Sequence, residues 1–199
     1  MKFIGITGGV GAGKSAVLDF IRENFPAKIV LADDLAKELM VPGGVCYDRL
    51  REAFFRDGVF GADGTLDQQK MARLLFSDER KREQMNGIVH PEVKREVLRE
   101  VAQERKRGVY AYFFFEAALL IEEKYDEICD ELWYIYTSEE KRKQRLMQNR
   151  GYSSSRVERM MASQLSETTF RKHCGVVIDN NGTTEETCRQ VMEILNGTV

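Results

Sequence analysis

The sequence predicts a three-layer α/β domain: a parallel five-stranded sheet with helices on both faces. Two observations carry that reading. Apolar, β-rich runs recur between helical stretches, at Phe3–Thr7, Lys28–Ala32, Val109–Phe115, Glu131–Tyr136 and Val176–Asp179. They are almost continuously hydrophobic, without the alternation of a half-exposed strand, which suits strands covered on both sides. The second observation is Gly8 to Ser15, Gly-Gly-Val-Gly-Ala-Gly-Lys-Ser, a complete G-x-x-x-x-G-K-[ST] loop. It lies between the first strand and a helical stretch opening at Ala16, the strand–loop–helix setting that gives this pattern its mechanism.

In that setting Gly9, Gly11, Ala12 and Gly13 wrap a phosphate with inward-pointing backbone N–H groups, and Ala16 belongs to the helix turn behind them. Lys14 reaches the β- and γ-phosphates, and the Ser15 hydroxyl is the expected ligand of Mg²⁺. The loop therefore predicts a nucleoside triphosphate site.

Between the second and third strands lies a long, mostly helical insertion, taken as 35–107. Pro42-Gly43-Gly44, Asp57-Gly58 and Ala62-Asp63-Gly64 punctuate it. Thr65-Leu66-Asp67 leads into a helix over Gln68–Phe76, Ser77 is placed to cap Asp78–Asn86, and His90-Pro91 is read as the start of a long helix ending near Gly108. An excursion of this length in a nucleotide-binding core usually holds a second substrate. A lid over 138–174 follows the fourth strand, with helices at Glu139–Asn149 and Ser153–Gln164. The core is then 1–34, 108–137 and 175–199.

Three basic clusters stand out: Lys81-Arg82, Arg105-Lys106-Arg107 and Lys141-Arg142-Lys143. The first two read as solvated helix faces. In the third region Arg142 and Arg145 share a face. Mobile arginines neutralise charge on a transferring phosphoryl group, so Arg145 and Arg150 are the expected lid arginines.

Composition narrows the function. The 199 residues are 43% hydrophobic and 31% charged with net charge −2, ordinary for a soluble globular protein and no general signal for nucleic acid. Neither a signal peptide nor a membrane-spanning run is expected. Four cysteines without C-x-x-C spacing read as reduced thiols of a cytoplasmic protein. An Asn-Lys-x-Asp guanine reader is absent, and Phe113-Phe114-Phe115-Glu116 supplies only the Glu of a motor-type Asp-Glu pair. Glu116 is left between a water-mediated Mg²⁺ contact and an ion pair with Lys or Arg.

At this point the chain resembles a known family. Gly5 to Ser15, Ala32-Asp33-Asp34-Leu-Ala-Lys37, His90-Pro91, Ala118-Leu-Leu-Ile-Glu122, Arg145-Leu-Met147 and Val177-Ile-Asp-Asn-Asn-Gly182 are similar, in order and spacing, to dephospho-coenzyme A kinases. The resemblance implies ATP-dependent phosphorylation of the ribose 3′-hydroxyl of dephospho-coenzyme A. It also implies a P-loop kinase fold with helical substrate domain and lid, acting on a small molecule as a monomer or weak homo-oligomer. Leu31 stands where the family often has the first Asp of Asp-Ala-Asp, and Ala118 where it often has Pro.

Asp33, at the carboxyl end of the strand after the P-loop helix, is where open α/β sheets put ligands. It is the expected base for the sugar hydroxyl, with Asp34 the helix cap. His90 and Glu122 are assigned to the substrate side. Asn181 and Gly182 could lie beside the adenine or simply form a turn. Two other functions remain: a nucleoside or nucleoside-monophosphate kinase, and an ATP-dependent switch or partner-binding module.

Overall fold

The structure is a computed structural model, describing residues 1–197. Its sheet has five strands, β1 (Lys2–Thr7), β2 (Ala27–Leu31), β3 (Tyr112–Glu116), β4 (Glu131–Tyr136) and β5 (Val176–Asp179), in the order β2-β3-β1-β4-β5. β1 pairs in parallel with β3 (Ile4 opposite Phe114) and β4 (Ile6 opposite Trp133), and β4 pairs in parallel with β5. Crossover helices cover the sheet. The ladder therefore buries side chains on both sides, which is why the strands read as unbroken apolar runs. Phe3, Ile4, Ile6, Phe113, Phe114, Phe115, Trp133 and Ile135 are fully enclosed. Edge-to-face ring pairs lock neighbouring strands, Phe3 with Phe113 and Phe114 with Trp133, each at 5.5 Å between centroids.

The helices are α1 (Lys14–Asn24), α2 (Ala32–Met40), α3 (Tyr47–Phe54), α4 (Gln68–Ser77), α5 (Glu79–Arg107), α6 (Glu139–Arg150), α7 (Ser154–Ala162), α8 (Glu167–His173) and α9 (Thr184–Leu195). Two compact units emerge. One is 1–29 together with the chain from Glu104 onward; the other is Val30–Gln103.

In the second unit, Asp67 starts α4 by accepting from the backbone N–H groups of Gln69 and Lys70, both at 3.0 Å. Ser77 is not a cap. It ends α4, and its hydroxyl donates back to the carbonyls of Arg73 and Leu74. Nor does a helix begin at His90-Pro91: α5 runs unbroken through Pro91. Proline removes one N–H and crowds the carbonyl four residues earlier. Here that residue is Gly87, and both Gly87 and Pro91 lie on the exposed side, so the carbonyl left without an intrahelical donor can face water. Lys81 also departs from expectation. It is half-buried, pairs with Asp57 at 2.7 Å and lies over the Phe54 ring, tying α5 to the short 3₁₀ turn Phe55–Asp57.

In the first unit β3 begins at Tyr112, not Val109. Gly108 turns the chain out of α5 with φ 67°, leaving Val109 60% exposed before the strand starts. β2 ends at Leu31 and Ala32 already belongs to α2. Ser138 and Ser153 cap α6 and α7, and Gly151 closes α6 with φ 63°. Helix α8, capped by Ser166, is an addition to the two lid helices expected.

Candidate active site

The loop from Gly8 to Gly13 joins β1 to α1 and is held from the ends of the two neighbouring strands on one side of the sheet. Its central carbonyl, on the buried Ala12, accepts from Asn180 Nδ2 at 2.7 Å and Thr137 Oγ1 at 2.9 Å. Thr137 follows β4 directly and Asn180 follows β5; they are 2% and 9% exposed. Asn180 is itself oriented by Thr187 of α9, whose hydroxyl donates to Asn180 Oδ1 at 2.9 Å. Gly13 sits in the left-handed region at φ 90°, and a Cβ there would strike the Asn180 amide. Glycine is thus required twice at Gly13, for torsion and for room.

Lys14 opens α1 and folds back over the loop. Its ammonium donates to the Gly8 carbonyl at 2.9 Å and lies 3.4 Å from the Glu116 carboxylate at the end of β3. Glu116 thus makes the ion pair that was one of the two roles open to it, and the contact leaves the Mg²⁺ role untouched. Ser15 and Ala16 are exposed on the first turn of α1, where N–H groups and the helix dipole favour an anion.

Arg145 reaches the loop from α6. Its guanidinium donates to the Asn180 carbonyl at 3.1 Å, with longer contacts to the carbonyls of Gly11 and Ala12 and to Thr137. Arg142, one turn earlier, lies across Gly9, where a Cβ would overlap its guanidinium; Gln164, between α7 and α8, accepts from it at 2.9 Å. Nearby, burial pushes the Tyr134 phenol up, and the Arg142 charge works against that shift. Arg150 is exposed at the last position of α6, about 7.5 Å further along the helix axis than Arg145.

Other expected residues fall elsewhere. Asp33 is exposed in the first turn of α2. Asp34 is not the cap: that position is Leu31, which provides no side-chain bond, and Asp34 instead pairs with Lys37 at 2.7 Å. His90 lies within α5, and Glu122 is exposed in the turns after β3. Asn181 Oδ1 accepts from the Ser138 N–H at 2.9 Å and its carbonyl accepts from Lys141, which ties the end of β5 to the start of α6. Gly182 makes room for the Glu186 carboxylate, which folds back to the Thr183 N–H in the capping box of α9.

Sequence reasoning did not single out Thr137, Asn180, Gln164 or the position of Arg142. A signal existed for two of them, since both Thr137 and Asn180 immediately follow predicted strands, at the carboxyl ends where α/β sheets bind ligands. What it lacked was the strand order that puts β4 next to β1.

A 2-3-1-4-5 parallel sheet, a phosphate loop after β1 and arginines reaching that loop from α6 define a P-loop kinase, a transferase. The family model described as dephospho-CoA kinase matches residues 2–186. A dephospho-CoA kinase from Geobacter sulfurreducens is 36% identical, covering 98% of this chain and 97% of the relative. One from Shouchella clausii is 34% identical over 96% of each. A crystal structure of a Thermus thermophilus protein superposes with TM-score 0.81 at 28% identity, covering 100% of this chain and 98% of its own. The chain belongs to the dephospho-CoA kinase family.

Proposed function

We propose that this protein transfers the γ-phosphoryl group of ATP to the ribose 3′-hydroxyl of dephospho-coenzyme A, giving coenzyme A and ADP, in the cytoplasm. The observation that carries the reading is the family match over 2–186. Around it, the loop 8–15 is the site for the phosphates, with Lys14 and Arg145 stabilising charge that develops on the transferring group.

In this reading the 3′ oxygen bonds to the γ-phosphorus while the bond to the β–γ bridging oxygen breaks. ADP leaves with that electron pair, and the hydroxyl proton passes to Asp33. Asp33 is an exposed carboxylate two residues beyond β2, which supports this role. The helical segment 35–107, with His90, would hold the acceptor, Glu122 would contribute from the turns after β3, and 138–174 would act as the lid. Asn181 and Gly182 would border the adenine.

Mg²⁺ fits the oxygen donors available, the exposed Ser15 hydroxyl with the Glu116 carboxylate close to Lys14. Bound there, the ion would offset phosphate charge. The cytoplasmic placement is supported by four free cysteine thiols and by the lack, among the described residues, of a helix long and apolar enough to cross a membrane.

A coupled assay for ADP tests the proposal. Turnover should require dephospho-coenzyme A and yield coenzyme A. Equal or faster turnover with nucleosides or nucleoside monophosphates would replace the acceptor, and ADP release indifferent to any acceptor would point to a switch ATPase.

A further inference from the structure

Two arginines on one face of α6 divide the phosphate loop between them. Arg145 bonds around Gly11, Ala12 and Asn180. Arg142 covers the opposite end, over Gly9, next to the Gly8 carbonyl that holds the Lys14 ammonium. Lys14 is the group that reaches the β- and γ-phosphates, so Arg142 lies at the end of the loop where those phosphates would sit.

Its present partners suit a temporary position. The Arg142 Nη1 donates to the neutral side-chain oxygen of Gln164, while its Nε is buried without a hydrogen-bond partner among the described residues. A guanidinium N–H removed from water and left unbonded is costly, and the fork geometry of Arg matches a phosphate far better than a single amide oxygen. The side chain also borders a cavity of about 580 Å³, lined by Tyr134, Thr137, Glu139, Glu158, Gln164 and others, which leaves it room to move.

We infer that Arg142 is a γ-phosphate sensor parked on Gln164: in the nucleotide-free protein Gln164 holds the guanidinium over Gly9, and ATP, but not ADP, draws it onto the terminal phosphate. Arg142 thereby adds discrimination between substrate and product nucleotide to the charge stabilisation provided by Arg145. The inference rests on the ATP-site reading above and needs nothing of the acceptor.

The test is nucleotide binding by calorimetry without acceptor, on the full chain, for wild type, Arg142→Ala, Arg142→Lys and Gln164→Ala. Loss of a charge-assisted bond to the γ-phosphate should weaken ATP binding roughly 10–100-fold in Arg142→Ala, with ADP binding changed less than about threefold. Arg142→Lys should fall between, because it keeps the charge and loses the fork. Gln164→Ala should bind ATP as tightly as wild type or a few-fold tighter. Equal losses for ATP and ADP, or none, in a folded Arg142→Ala overturn the inference. So does Gln164→Ala losing ATP affinity as fully as Arg142→Ala, which would make the pair a structural strut. Wild type that binds ATP tightly yet ignores dephospho-coenzyme A would sink the proposed acceptor and leave this inference standing.

Discussion

Helices α5 and α6 are both crowded with charge, and they use it in opposite ways. Along α5 each of Arg82, Arg95, Arg99 and Arg107 pairs with the glutamate three residues before it: Glu79, Glu92, Glu96 and Glu104. The pairs at Glu79 and Glu96 are solvent-facing and contribute only a few tenths of a kcal/mol each, whereas Glu92 and Glu104 are buried beneath their arginines; in all four the charges are already matched. On α6 the inward-facing Arg142 and Arg145 bond to amide, carbonyl and hydroxyl oxygens of Gln164, Gly11, Ala12, Asn180 and Thr137. Their hydrogen bonds go to neutral oxygens, and no carboxylate pairs with either guanidinium in a salt bridge among the described residues. More of the charge therefore remains for an incoming polyanion, although Glu139 lies near Arg142. A basic helix is therefore informative through its partners; its arginine count says little.

The contrast can be broken, starting with the largest effect. Asp33→Asn keeps the shape of an exposed residue in the first turn of α2 and removes its charge. Acceptor phosphorylation should drop ~10²–10⁴-fold while ATP affinity and melting temperature barely move. A near-normal kcat in steady-state assays would end its assignment as base. Lys14→Ala should cost ~10²–10³ in kcat, since a donor aimed at transferring charge is lost. Circular dichroism should show the fold intact, and retained turnover would refute the role.

The third test compares the helices directly. Arg145→Ala should lower kcat, or raise KM for ATP, by roughly tenfold or more, because its contacts lie on the phosphate loop. Arg99→Ala on α5 should leave kinetics unchanged and shift stability by less than about 0.5 kcal/mol. Arg150→Ala, exposed at the end of α6, should fall between them; equal kinetics for Arg145→Ala and Arg99→Ala would erase the distinction between the helices. Asn180→Ala has a smaller, structural signature. The Ala12 carbonyl loses its shortest donor inside the protein, at a cost of about 1–3 kcal/mol. Melting temperature should fall and KM for ATP rise together; a change in one alone would mean that Asn180 does not couple loop and core.

Much of the site was legible from residue order. The loop 8–15 and the arginine face of α6 are local patterns that spacing reveals; Asp33 after β2 was picked out the same way, and its role as base is part of the proposal. Both caps read from the sequence were misjudged: Asp34 pairs with Lys37, and Ser77 bonds back into α4, while the Asp67 cap of α4 was not singled out. Proline was misread at Pro91 because its penalty depends on whether the carbonyl of Gly87 faces water, which only the packing of α5 determines.

By itself the sequence determined the layered α/β class, the five strands and the phosphate loop, since hydrophobic runs and glycine positions are properties of short segments. Tertiary structure decided which arginines meet the loop and what holds it. Asn180 lies 168 positions from Ala12 and Thr137 lies 125 away, yet both bond the same carbonyl. That meeting exists because β4 lies beside β1 and β5 beside β4. Strand order is set by how the sheet buries its two faces, a cooperative outcome of the whole chain that no single segment encodes.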